Sequence, residues 1–213
     1  NLRLAVGLGL IDRWTCDAAA AVRDADVIVL AAPIGASAAL AGAFRPYARP
    51  GTLLTDVGSV KTTVVAALET GWAGLGPVVG AHPIAGSEAS GAGAARADLF
   101  RGHRCVVTPT AVTDRGALAR VRALWEGVGA RVEEMAPGLH DEILARVSHL
   151  PHLVSFALAQ AVGGAPVHGL DVFDYAGGGF RDTTRIAASP AALWRDIFLG
   201  NTPALRSALA EFR

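Results

Sequence analysis

Lysine is almost missing from this chain: a single one, Lys61, stands beside eighteen arginines. Charge of either sign is sparse, 18% of residues against a usual ~25%, and nineteen basic residues balance nineteen acidic ones. A chain with no net charge offers no electrostatic ground for binding nucleic acid or an anionic membrane, so any anionic ligand has to be held by local charge. Two cysteines, Cys16 and Cys105, are too few for a disulfide framework and too far apart for a paired metal motif. Both lie among strand-like residues and are read as buried, inert thiols. No run reaches the ~18–20 uninterrupted apolar residues of a membrane span and no secretory signal is visible, so the expected compartment is the cytoplasm. Apolar residues are abundant, 52% of 213, enough for a sizeable core in one large domain or two small ones. The chain opens at Asn1 and stops at Arg213 within a helical pattern, and is read as a segment of something longer.

The stretch "RLAVGLGLIDRW", Arg3 to Trp14, contains a Gly7-x-Gly9 doublet after apolar residues, like the start of a dinucleotide-binding turn. Its third position holds Asp12, where that turn needs Gly or Ala so that helix can pack on strand and phosphate can approach the helix end. A carboxylate there opposes phosphate. The expected structure is therefore the last turn of a helix, capped by Gly7 or Gly9 in the left-handed conformation.

Further on, "ADVIVLAAP" (25–33), "GTLLTDVGS" (51–59), "PVVGAHP" (77–83), "HRCVVTPT" (103–110) and "ARVEEM" (130–135) read as strands, with helical patterns among them that include "VKTTVVAALE" and about 114–127. Strands alternating with helices imply a parallel, Rossmann-like α/β sheet with right-handed crossovers. The first run, apolar throughout and closed by proline, is expected to be a central strand buried on both faces. In such sheets ligands bind beyond the carboxyl ends of the strands. After Pro137 strand signals stop. "GLHDEILARVSHLPHLVSFALAQAV" reads as one long helix, apolar over most of its circumference and kinked at Pro151. Ser189-Pro190 and Thr202-Pro203 read as helix starts with a capping residue before proline. The expected division is a nucleotide-binding domain over 1–136 and an all-helical domain over 137–213.

Candidate functional residues follow from the strand ends: Ala32-Pro33, the run Asp56 to Lys61, and the run His82 to Ser87. Ser59 is placed to cap the helix that follows. Lys61, a cation in a first helical turn, opposes the helix dipole and is read as a lone exposed lysine. His82, at the carboxyl end of a strand and clamped before Pro83, suits proton transfer near neutral pH. His149 and His152 are three apart on a helical pattern, but they lack an intervening Glu and a third ligand at the expected spacing, so no metal site is expected. Arg181 and Arg185, four apart on one helix entered from three glycines, can present guanidinium forks to a carboxylate, with Asp182 orienting Arg185; the alternative is a surface salt bridge.

Taken in order, "ADVIVLAAP", "LLTDVGSVK", "VVGAHPIAGSEASG", "VSHLPHLVSFALA" and "GGGFRDTTRIAASPAALWRDIFLGN" resemble the prephenate and arogenate dehydrogenases of tyrosine biosynthesis, over roughly Ala25 to Asn201. The resemblance implies an NAD or NADP cofactor, oxidative decarboxylation of a cyclohexadienyl substrate, a cleft between the two domains, and a homodimer formed through the helical one. It implies that His82 polarises the ring hydroxyl with Ser59 orienting it. Arg185 would bind a carboxylate, with His152 and Asp182 in support and Arg181 at the rim, while Ala32, Pro33, Asp56 and Gly58 would lie along the cofactor. It also implies that "LAVGLGLID" is a helix tail, so that the first βαβ unit, with the pyrophosphate turn, is lacking from the chain. Two alternatives stand beside it: another Rossmann-plus-helical oxidoreductase such as a β-hydroxyacid dehydrogenase or imine reductase, and a noncatalytic binding or dimerisation module.

Overall fold

The computed structural model describes residues 1–86, 91–164 and 166–213, and these form two compact units, Asn1–His140 and Asp141–Arg213. The first is built on five strands, β1 (Val27–Leu30), β2 (Leu53–Asp56), β3 (Val78–Pro83), β4 (Arg104–Thr108) and β5 (Arg131–Glu134), in spatial order β1-β2-β3-β4-β5. β1, β2 and β3 are parallel. The expectation of a parallel sheet throughout needs correcting at β4, which runs antiparallel to β3 and sets His82 opposite Val106. A parallel neighbour needs a long, usually helical crossover, whereas the described residues between β3 and β4 hold only a single 3-10 turn, Ala92–Ala94. A true helix joins β4 to β5, and that pair is parallel.

Among the described residues five helices accompany the sheet: α1 (Leu2–Gly7), α2 (Ala18–Val22), α3 (Ser37–Phe44), α4 (Thr62–Trp72) and α5 (Arg115–Gly127). Successive side chains of β2 point to opposite faces, so Leu54 packs with Ile28, Leu30 and the α4 row Val64, Leu68 and Trp72, whereas Leu53 packs with Val79, Val107 and the α5 row Ala117, Val121 and Trp125. Both rows have the four-residue spacing of one helical face. α5 starts where Asp114 accepts a hydrogen bond from the N–H of Ala117. β1 is not the central strand expected: among the described residues it pairs with β2 alone, and Val29 is 41% exposed between buried Ile28 and Leu30. An apolar run cannot by itself distinguish a two-sided strand from an edge strand.

The Gly7-x-Gly9 stretch is a helix end. Gly9 has φ +67°, its N–H donates to Val6 O, and the N–H of Leu10 donates to Ala5 O, each at 2.9 Å; these are the paired bonds of a glycine-terminated helix. Gly7 is the last residue of α1. Cys16 is exposed in a bend, contrary to its reading as a buried thiol, whereas Cys105 is buried in β4 as expected.

Beyond β5 the chain is helical: α6 (Pro137–Leu144), a π turn (Ala145–His149), α7 (Leu150–Gly163), α8 (Gly178–Thr184), a 3-10 turn (Arg185–Ala188), α9 (Ala191–Gly200) and α10 (Thr202–Phe212). The irregularity in the expected long helix lies one turn before Pro151, in the π turn. Pro151 follows that turn directly in a continuous helix, in which the N–H of Leu150 donates to Ala145 O. The expected burial on several sides is not seen: Ser155 is the buried residue of α7, and Val147 is 68% exposed. Two expected caps shift by one residue, to Pro190 for α9 and Asn201 for α10, and the Thr202 hydroxyl donates back to the carbonyls of Phe198 and Leu199.

Candidate active site

Because β1, β2 and β3 are parallel, their carboxyl ends lie along one edge and carry Ala32-Pro33, Gly58-Ser59 and His82 respectively. Ala32 and Ser59 are half-buried and Pro33 is exposed. Ser87, at the end of the third expected run, lies outside the described residues.

Beneath this edge sits an ion pair that sequence reasoning misread. Lys61, taken as exposed, has no exposed surface and donates to Asp56 Oδ2. It also donates to the carbonyl of Ala81 at 2.7 Å, while Asp56 Oδ1 accepts from the Ala81 N–H at 3.4 Å. The pair therefore holds both backbone groups of the residue that precedes His82, and it does so where the β2–β3 register, Thr55 opposite Val79, has run out. Asp56 Oδ2 accepts in addition from the N–H of Gly58 at 2.8 Å. A Cβ at Gly58 would come within 2.9 Å of that oxygen and 2.8 Å of Ile34 Cγ2, so the turn closes only on glycine. Asp56 and Gly58 were expected along the cofactor; both are buried, and Asp56 serves to position its neighbours. Ser59 is not at the cap either: the N-cap position of α4 is Lys61, which makes no side-chain capping bond. The lysine tolerates that position, adverse to the helix dipole, because Asp56 neutralises it.

His82 has a partner that the sequence reading did not consider. Its Nδ1 lies 2.8 Å from Nε2 of His140, with ring centroids 5.1 Å apart and planes at 67°. His140 is fully buried in the first turns of α6. The antiparallel course of β4 accounts for the meeting: Met135 N–H donates to Val107 O, Val107 is opposite Ala81, and α6 therefore begins at the level of the residue before His82. The expected all-parallel sheet gave no reason to bring residue 140 to residue 82. Cys105, opposite Pro83, has its thiol pushed up to about 12 by burial, which makes it inert.

In the second unit, His152 stacks on Trp194, centroids 3.4 Å apart and planes at 17°, and its Nδ1–H donates to Ser148 O at 2.9 Å, leaving Nε2 without the ring proton. Burial pushes its pKa down. His149 is buried, and its Nδ1 accepts from Asn201 Nδ2 at 3.1 Å, a nitrogen that also donates to Asp141 O at 2.8 Å. Among the described residues no three metal-ligating side chains gather. Arg181 and Asp182 are exposed on α8. Arg185 is exposed as well and opens the 3-10 turn after α8, so the two arginines do not share one helix as expected. An ion pair at so exposed a position contributes little to stability.

The edge of β1–β3 fits a flat cofactor ring. On β1 and β2 its side chains there are small, and the carboxylate below, which would repel phosphate, is neutralised by Lys61. Residues 1–134 match the prephenate dehydrogenase nucleotide-binding domain and residues 136–213 the prephenate dehydrogenase dimerization domain. The chain is 38% identical over 206 residues to a cyclohexadienyl dehydrogenase of Zymomonas mobilis, covering 96% of this chain and 70% of that protein. It is 35% identical over 201 residues to a prephenate dehydrogenase of Bacillus subtilis, covering 92% of this chain but only 53% of that one. A crystal structure of prephenate dehydrogenase from A. aeolicus, in complex with hydroxyphenyl propionate and NAD+, superposes with a TM-score of 0.92 at 39% identity, over 99% of this chain and 73% of that one.

Proposed function

Since the chain belongs to the prephenate dehydrogenase family, we propose that the protein carrying it oxidatively decarboxylates prephenate or arogenate, giving 4-hydroxyphenylpyruvate or tyrosine. When bound, NAD or NADP supplies the hydride acceptor; Ala32, Pro33 and Ser59 lie along it, with Asp56 and Gly58 supporting their edge. His82 accepts the hydrogen bond of the ring hydroxyl, and Ser59 orients that hydroxyl. As hydride leaves the carbinol carbon, the bond to the ring carboxylate breaks, its electron pair completes the aromatic ring, and carbon dioxide departs. The hydroxyl proton, shared with His82, stays with the phenol. Arg185 holds a substrate carboxylate, Arg181 stands at the rim, and His152 and Asp182 support the binding side. Residues 1–136 serve the nucleotide and 137–213 serve substrate binding and dimerisation.

The observation that carries this reading is His82 at the carboxyl end of β3, at the edge that also carries Ser59, with its ring held through Nδ1 against the buried His140. Association into a homodimer is supported by the exposure of Val147, Leu199 and Phe212, each above 60%, since large exposed apolar side chains mark contact surfaces when they cluster. The cytoplasm, where a diffusible biosynthetic substrate meets the cofactor, is the compartment proposed; no described helix is long and apolar enough to cross a membrane. The test is to give the full-length protein each combination of prephenate or arogenate with NAD+ or NADP+. Carbon dioxide release matched by reduced cofactor for at least one pair is expected. No turnover with any pair, in a protein that still binds prephenate, supports the noncatalytic module instead.

A further inference from the structure

We infer that Asn201 is a positioning residue for His152, acting through the π turn between α6 and α7; from the dehydrogenase reading this takes only that His152 serves the substrate-binding side. A π turn is rare and occurs mostly as a single turn set into an α-helix, frequently at functional sites. Here it spans Ala145–His149, and the N–H of Leu150 donates across it to Ala145 O. The extra residue that such a turn takes in shifts by one position, about 100° of the helix circumference, the face on which each later residue emerges. The π turn therefore decides which side of the helix carries His152, three residues beyond its end.

Asn201 clasps that turn across its two ends. It is buried at the junction of α9 and α10, and its Nδ2 donates to Asp141 O, ahead of the turn, at 2.8 Å and to Nδ1 of His149, the last residue of the turn, at 3.1 Å. Helix carbonyls point forward along the chain and Cβ bonds tilt back, so the two acceptors converge and one amide group spans them. The amide cannot be turned over, because its oxygen would then face the carbonyl oxygen of Asp141 with no hydrogen between them. Within the turn, Ser148 O accepts from His152 Nδ1 at 2.9 Å, which ties the ring to the backbone that Asn201 holds. The face of the ring lies on Trp194 of α9, centroids 3.4 Å apart, and α9 ends at Asn201. Both supports of the His152 ring thus lead to Asn201, one through the π turn and the other along α9.

Two variants of the full-length protein test this. N201S is too short to span both acceptors, and N201D keeps the size but offers only acceptors to them; serine and aspartate both suit the N-cap position of α10 that Asn201 occupies. Proton NMR reads the His152 ring without any turnover: its protons, shielded by the Trp194 indole in wild type, should move downfield towards free histidine in both variants. Kinetics supply the second arm. Substrate KM should rise about tenfold, short of the roughly 10²-fold that a 1 Å misplacement can cost, with kcat and cofactor KM nearly unchanged. In an H152A background the same substitution should add less than about twofold, because residues acting as one unit are not additive, whereas a substitution that only loosens the fold adds the same factor in both backgrounds. An unmoved His152 ring in folded N201S, an equal rise in KM in both backgrounds, or loss of folding in both variants would overturn the inference, the last because it makes Asn201 a residue of the core alone. A moved ring with KM unchanged, in N201S and in H152A alike, would uphold the positioning and count against the placing of His152 on the binding side.

Discussion

Two charged clusters in this chain are built in opposite ways. Asp56 and Lys61 are sealed from solvent, and between them they hold the backbone of Ala81 and Gly58. Arg181, Asp182 and Arg185 stand exposed around the end of α8. The first cluster pre-sets a geometry, that of the strand end bearing His82 and of the turn bearing Ser59. The second keeps its charge in water, where it costs little to hold. The positioning cluster and the cluster proposed for recognition thus lie in different environments, and substitutions in the two should fail differently.

The largest effect is expected at the buried pair. K61M leaves Asp56 without its cation, and breaking one side of a buried pair costs about 3–5 kcal/mol; a urea-unfolding midpoint reads the loss. Adding D56N in the same chain should restore part of it, because the uncompensated carboxylate is then gone. A K61M protein as stable as wild type would erase the contrast between the clusters. Next in size is R185A, which should raise KM for substrate by about 10- to 100-fold, the worth of a charge-assisted hydrogen bond of roughly 1.5–3 kcal/mol, while stability moves by less than about 0.5 kcal/mol. Unchanged KM removes Arg185 from the binding side.

Smaller effects sharpen the same contrast. A thiol reagent at about pH 8, near the ordinary thiol pKa, should label exposed Cys16 and spare Cys105, whose thiol burial pushes up to about 12; labelling of both in the folded protein would show that the strand beside His82 opens readily. The smallest effect concerns His152. Its folded-state pKa is lowered by burial, so as pH falls below the unfolded value of ~6.5 the unfolded chain binds more protons and stability declines. H152F should flatten that decline, measured as melting temperature against pH.

The pattern of what could be read from the sequence follows the same division. Gly9 as a helix end, the strands ending at Asp56 and Pro83, and α5 entered through Asp114 all rest on local chemistry, and local chemistry is written in neighbouring residues. Lys61 left a trace: a lone cation placed against a helix dipole needs compensation, and Asp56 stands five residues before it. The trace was passed over because an exposed lysine needs no explanation. His140 left none. Its partner is 58 residues away, and the meeting depends on β4 turning antiparallel, a property of the connection between β3 and β4 rather than of any motif.

The account depends most on His82. In the full-length protein, H82N retains a hydrogen-bonding side chain of similar reach but loses the imidazole, and kcat for prephenate or arogenate oxidation should fall by about two orders of magnitude, the cost of a transition-state hydrogen bond of ~3 kcal/mol, with substrate KM within a few fold of wild type. A folded H82N protein that turns over close to the wild-type rate would contradict the assignment of the strand end as the reacting centre.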